Sequence, residues 1–266
     1  VFRRRQRQMC IRDRNYILKK IVIIPARLDS ERLPEKPLKL IDKKPMIEWT
    51  YQAAKNSIAD EIIVATDSNK IKKVVEEFEG NAVLTSDQHQ TGTDRIFEVA
   101  NNLDLQDEDI VINVQGDEPF IDPVDINNIF NSFLDIENNL PSKLETILDH
   151  EMTTLYSAHE TLPTKNNSNE VKIKVDECIS LDFSREVEGD TSDWFIHLGI
   201  YGYKFKCLKN FVKWQQSKRE LEFKLEQLRA LDNGVLIKAL PSKSLFHLGV
   251  DTEKDLIEAN EIAKKF

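Results

Sequence analysis

The sequence predicts an α/β fold in which a mostly parallel sheet is flanked by helices and carries an antiparallel excursion in the middle of the chain. Two patterns support that reading. Short continuous apolar runs, such as Ile21-Val22-Ile23-Ile24 and Ile110-Val111-Ile112, suit strands covered on both faces, and helical patterns separate them. Between residues 137 and 169 the alternation falters, and the strand patterns around and after it lack intervening helices.

In chain order, the first buried strand spans 21–25 and is closed by Pro25. A helix is expected over 45–56, with proline in its first turn and Ile47, Tyr51 and Ala54 on one face. A strand at 61–65, a helix at 69–78, a short strand at 82–84, a helix at 93–101 and a strand at 110–114 continue the alternation. Strands at 152–158, 171–175 and 196–203 form the antiparallel excursion. A helix over 221–231 stops at Asn233-Gly234, a strand follows at 235–240, and a helix over 253–264 closes the chain.

Composition narrows the function. The 266 residues suffice for a substantial core, and 40% hydrophobic with 31% charged residues is ordinary for a globular protein. No stretch approaches the ~20 apolar residues that cross a bilayer, and no apolar signal-peptide core precedes the first strand. A cytoplasmic protein without membrane insertion is expected. The net charge is −9, but residues 1–20 hold +7 and residues 21–266 carry −16. That acidic body repels nucleic acid, while basic clusters within it suit a small anionic ligand. Cys10, Cys178 and Cys207 share no metal-type spacing and point to a reducing compartment. Neither G-x-G-x-x-G nor a P-loop occurs. The Arg-rich head has no apolar period, so residues 1–20 are set aside as a disordered or extraneous tail. Residues 21–266 are read as one domain with its excursion at about 150–205.

Two motifs carry the chemistry. Arg27, Arg32 and Lys36 recur at intervals of five and four in a proline-bracketed loop that leaves the first strand. Ligands of open parallel sheets bind beyond the carboxyl ends of the strands, and guanidinium forks match phosphate oxygens. The second motif, Gln115-Gly116-Asp117-Glu118-Pro119, places a carboxylate directly after a buried strand. There it suits a divalent metal or, alternatively, a turn or helix cap.

The stretch 23–38, Ala65-Thr66-Asp67, Thr91-Gly92-Thr93-Asp94-Arg95, the stretch 113–119, the stretch 197–203, Leu225-Glu226-Gln227-Leu228-Arg229 and Gly249-Val250-Asp251-Thr252 follow one another in a known order. From residue 21 to its end the chain resembles the 3-deoxy-manno-octulosonate cytidylyltransferase (CMP-Kdo synthetase) family. The resemblance implies a Rossmann-like nucleotidyltransferase fold, a homodimer, Mg²⁺ as cofactor, and a role in lipopolysaccharide synthesis. The substrates would be CTP and an acidic octulosonate sugar, with CMP passing to the anomeric hydroxyl and pyrophosphate leaving. It implies Arg27 and Lys36 on the triphosphate with Arg32 nearby, and Ala26, Thr91, Gly92 and Arg95 bordering the nucleotide. Asp117 and Asp251 would hold metal, and with Arg27 and Lys36 would form the catalytic set. Gln115, Arg185, His197, Glu226 and Gln227 would surround the sugar acid. On their own residues, His197 also suits an apolar core, and Glu226 and Gln227 a helix surface.

The chain departs from the family pattern twice. Glu35 stands where the family's loop carries glycine, which costs roughly 1–2 kcal/mol if that backbone is left-handed. Ser184-Arg185-Glu186-Val187-Glu188-Gly189 replaces a proline-rich stretch on the sugar side. These leave room for another acidic acceptor, such as an amino-substituted octulosonate, or for a nucleotide-binding protein without catalysis.

Overall fold

Alternating β-branched residues set the centre of the sheet. In β1 (Lys20–Ala26), Ile21 and Ile23 enter one core while Val22 and Ile24 enter another. A computed structural model describes residues 16–134, 150–158 and 170–265, apart from 188, 190 and 245. The tail over 1–14, Cys10 and most of the 137–169 interval lie outside the described residues.

A 3₁₀ turn (Lys36–Leu38) and a small hairpin, β2 (Leu40–Ile41) and β3 (Lys44–Pro45), lead from β1 into α1 (Met46–Lys55). Asp42 and Lys43 both take positive φ at the hairpin tip, as a type I′ turn requires. β4 (Glu61–Thr66), α2 (Asn69–Glu77), β5 (Ala82–Leu84), α3 (Gly92–Asn101), β6 (Ile110–Asn113) and α4 (Pro123–Leu134) follow. β5, β4, β1 and β6 lie side by side, all parallel. Helices α1, α2 and α4 cover the Val22/Ile24 face.

The excursion is antiparallel where it meets the parallel half. β7 (Met152–Ser157), β8 (Lys172–Asp176), β9 (Ile179–Ser184) and β10 (Trp194–Lys204) precede α5 (Phe205–Phe211). β10 joins β6 and β7 antiparallel, and β11 (Ile237–Pro241) runs parallel to β7. β9 and β8 complete the nine-stranded sheet of the described residues, and β8 returns to pair with β10, Lys174 opposite Trp194. The far half of the sheet therefore closes on itself. Helices α3 and α5 pack on the Ile21/Ile23 face with α7 (Gln227–Asp232).

Several elements differ from the sequence expectation. Residues 16–20 belong to the fold: Lys20 opens β1, Lys19 N donates to Asp109 Oδ1 at 2.8 Å, and the Tyr16 hydroxyl also meets the Asp109 carboxylate. The helix expected over 221–231 is two helices, α6 (Lys218–Phe223) and α7, parted by Lys224 at φ 53°. Leu225 and Leu228 are buried but Leu221 and Phe223 are 59% and 40% exposed, so no single apolar stripe runs through.

A third, smaller core positions the site. Leu33 from the loop after β1, Ile41 and Met46 pack against Val250 and against Leu256, Ala259 and Ala263, the last three on α8 (Glu253–Ala263). It clamps the cation-rich loop to the turn before the last helix. No helix among the described residues is long and apolar enough to cross a membrane.

Candidate active site

The loop after β1 curls over the carboxyl end of the sheet. Pro37 is buried in the 3₁₀ turn, and Glu35 before it adopts φ 55°, ψ 32°. This presents Lys36 to two carboxylates: its Nζ donates to Asp117 Oδ2 at 2.5 Å and to Asp251 Oδ1 at 2.7 Å. Arg32 reaches the other oxygen of Asp251 at 2.9 Å. Burial alone would lower the Lys36 pKa, but the two carboxylates outweigh it and hold it above its ordinary value. Burial likewise opposes ionisation of Asp251, and Lys36 with Arg32 overcomes that, keeping its carboxyl below the usual range.

Each aspartate is fixed by backbone. Asp117 follows a tight turn at Gly116, where a Cβ would lie 3.1 Å from the carbonyl oxygen of Pro25. Val250 N donates to Asp117 O at 2.9 Å, which ties the two loops directly. The cap of α8 is supplied by Thr252 and Asp255, whose carboxylate also accepts from Asp251 N at 3.0 Å. The Asp251 side chain is thereby left to the cations.

These groups open on a cavity of about 550 Å³ bordered by Ala26, Arg27, Arg32, Lys36, Thr91, Gly92, Arg95, Gln115, Asp117 and Asp251. Its far wall is the start of α3, where the Thr91 hydroxyl caps the helix by accepting from Asp94 N at 3.2 Å. Arg95 is buried, with its guanidinium bound to Asp67 at 2.6 Å and Thr85 at 2.5 Å. Arg27 is exposed.

Of the five residues expected at the sugar, only Gln115 borders this cavity. His197 is buried on β10, 2.9 Å from Thr154 Oγ1, with its ring centroid 5.3 Å from that of Tyr201. Burial lowers its pKa to about 3, so the imidazole is neutral. Glu226 precedes α7 and Gln227 opens it; Gln227 is 7% exposed, so neither reads as open helix surface. Arg185 is half-buried, its Nε 3.4 Å from the carbonyl oxygen of Phe223. The site thus has a cation-lined cavity and a group of polar side chains along β10 and α7.

The cytidylyltransferase family profile matches residues 21–240. A 3-deoxy-manno-octulosonate cytidylyltransferase of Saccharophagus degradans is 38% identical over 252 residues, 89% of this chain and 95% of that protein. The chain belongs to the 3-deoxy-manno-octulosonate cytidylyltransferase family. A second member, cytidylyltransferase 1 of Hydrogenovibrio crunogenus, is 39% identical over 91% of this chain and 95% of its own. A solved CMP:2-keto-3-deoxy-manno-octonic acid synthetase complexed with CTP matches with a TM-score of 0.81 at 31% identity, covering 93% of this chain and 99% of that one. The Rossmann-like nucleotidyltransferase architecture expected from the sequence is the one observed.

In this cytidylyltransferase the departure at Glu35 has a local resolution. Its backbone does take the left-handed conformation, and its carboxylate turns to Lys70 on α2 at 2.6 Å. Sequence reasoning also passed over Glu118 and His89. Burial, with repulsion from Asp117 and Asp251, pushes the Glu118 carboxyl up to about 8 against the pull of Lys36. Its only sequence signal is adjacency to Asp117. His89, paired with Glu98 on α3, lines the cavity, and no pattern in the chain singles it out.

Proposed function

We propose that the chain transfers CMP from CTP to the anomeric hydroxyl of 3-deoxy-D-manno-octulosonate, for lipopolysaccharide synthesis. The oxygen–phosphorus bond forms at the α-phosphate as the bond to the pyrophosphate oxygen breaks, and the hydroxyl proton passes to solvent. The observation that carries this is the convergence of Lys36 on Asp117 and Asp251 beneath a cavity rimmed by Arg27 and Arg32. Relatives named for this activity share the chain nearly end to end.

Asp117 and Asp251 already share one cationic centre, Lys36 Nζ. Two carboxylates aimed at one point beside a cation-lined cavity suit Mg²⁺, with water and phosphate oxygens completing its shell. Mg²⁺ bound by this pair would offset charge on the triphosphate and on the departing pyrophosphate. Arg27, Arg32 and Lys36 bind and orient the triphosphate, where fixed positive charge favours the transferring group. Ala26, Thr91, Gly92 and Arg95 border the nucleotide. Gln115, Arg185, neutral His197, Glu226 and Gln227 orient the acceptor. We also infer a cytoplasmic homodimer that meets through the strands of the excursion, a reading supported by exposed Leu181, Leu221 and Phe223 beside them.

Pyrophosphate release from each nucleoside triphosphate with a panel of sugar acids tests this reading. CTP with 3-deoxy-D-manno-octulosonate should be fastest. Equal rates with ATP would reject the nucleotide assignment, and a preference for an amino-substituted octulosonate would reject the acceptor.

A further inference from the structure

Arg229 ends the Leu225-Glu226-Gln227-Leu228-Arg229 motif but does not border the cavity. Its side chain is 5% exposed and forks onto Glu220, Nε to Oε2 at 2.8 Å and Nη2 to Oε1 at 2.5 Å. The guanidinium also lies 4.6 Å from the centroid of the Phe211 ring. Glu220 is fixed in turn, accepting from Ser217 N at 3.3 Å in the cap of α6 and from Gln216 at 3.1 Å. A buried pair of this kind often adds little stability over well-packed apolar residues, and here it links α6 to α7.

That link spans the break between α6 and α7. Glu226 stands at that break, with Arg229 Nη2 3.9 Å from its Oε1. At that distance the guanidinium supplies charge but no hydrogen bond. Glu226 Oε1 is buried and makes no hydrogen bond. An unpartnered buried carboxylate oxygen is costly unless something is to fill it. Against burial, the hydroxyls of Thr91, the cap of α3, and of Thr93 within it favour the ionised Glu226 carboxyl group, and Tyr201 and Tyr203 of β10 lie close to it. Thr91 also borders the cavity, so the Glu226 carboxyl group lies just behind the cavity wall.

We propose that Arg229, braced by Glu220, is a positioning residue for the acceptor: it holds the Glu226 carboxylate beside Thr91 and Tyr201 with Oε1 left to accept from a sugar hydroxyl. The proposal rests on the reading of Glu226 as a sugar contact. Steady-state kinetics with CTP and 3-deoxy-D-manno-octulosonate on Arg229→Lys, Glu226→Gln and the double variant, with melting temperatures, test it. Arg229→Lys should raise KM for the octulosonate about tenfold or more while KM for CTP stays within about twofold. It should add little in the Glu226→Gln background, because both changes act through one carboxylate. Equal rises in both KM values, or additive effects, would show that Arg229 only supports the fold and overturn the proposal. An unchanged octulosonate KM in Glu226→Gln alone would instead reject the sugar-contact reading beneath it. If Arg229→Lys does not fold, Glu220→Gln replaces it, since it keeps Arg229, removes the charge of the brace and retains an amide oxygen for the cap of α6. A folded Glu220→Gln with unaltered octulosonate KM overturns the proposal, and a selective rise supports it.

Discussion

Arg27 stands exposed at the mouth of the cavity. Arg27→Ala should leave the fold intact yet cut kcat/KM by at least ~100-fold, the usual worth of one preorganised charge donor. A loss under tenfold would mean that the loop does not cradle the triphosphate. Glu35 argues the other way. Its left-handed backbone is unfavourable by roughly 1–2 kcal/mol, and its half-exposed pair with Lys70 returns at most about 1 kcal/mol. Glu35→Gly should therefore leave CTP affinity unchanged or higher; a clear drop in calorimetric affinity would assign the carboxylate a role in binding. His197 makes a pH-dependent contribution. Burial sets its folded pKa at about 3, below the ordinary 6.5, so the folded state binds the proton less well than the unfolded chain. Stability from this group is complete above pH 6.5 and is lost as pH falls toward 3, at up to ~1.4 kcal/mol per pH unit. Urea denaturation should show the gap between wild type and His197→Gln narrowing from pH 7 to pH 5. A gap independent of pH would contradict a buried neutral imidazole.

The turn between β11 and α8 has two tasks, and the structure divides them between neighbouring residues. Thr252 and Asp255 cap the helix, while Asp251 faces Lys36 and Arg32. Asp251→Asn should thus barely alter the melting temperature; with Asp251 as the Mg²⁺ ligand proposed above, it should lose at least ~100-fold in turnover and need more Mg²⁺. Near-normal turnover at sub-millimolar Mg²⁺ would leave Asp117 as the sole carboxylate of the pair that matters. The parallel strands are legible in the sequence because double-sided burial demands unbroken apolar runs. Helix α4 is not, because Asn127, Asn128, Asn131 and Ser132 mask the stripe of Ile126, Ile129, Phe130 and Phe133 that faces the core. β9 and α5 are short, and their patterns merge with those of their neighbours. Of the cavity residues, Arg27, Arg32, Lys36 and Asp117 were legible as motifs next to strand ends, whereas Thr91, Gly92, Arg95 and Asp251 emerged only through the family resemblance. The break at Lys224 was not legible, because a lysine at positive φ carries no breaker signal of the kind glycine or proline gives.

Across the whole molecule, the first loop and the last helix meet although nearly the full chain separates them. The core of Leu33, Met46, Val250 and Leu256 holds that closure, and the hydrogen bond from Val250 to Asp117 sets its register. The sheet supplies a rigid floor, and the half that closes on itself brings β10 and α7 alongside the cavity. Donor and acceptor can then be held together, which is where most of the rate of such a transfer originates. Phosphorus NMR of the protein mixed with CTP, 3-deoxy-D-manno-octulosonate and Mg²⁺ observes that joining directly. A new phosphodiester signal should grow in step with pyrophosphate, and both should be absent in excess EDTA. Pyrophosphate appearing with free CMP and no phosphodiester, or the same product in EDTA, would contradict a metal-dependent transfer to the sugar.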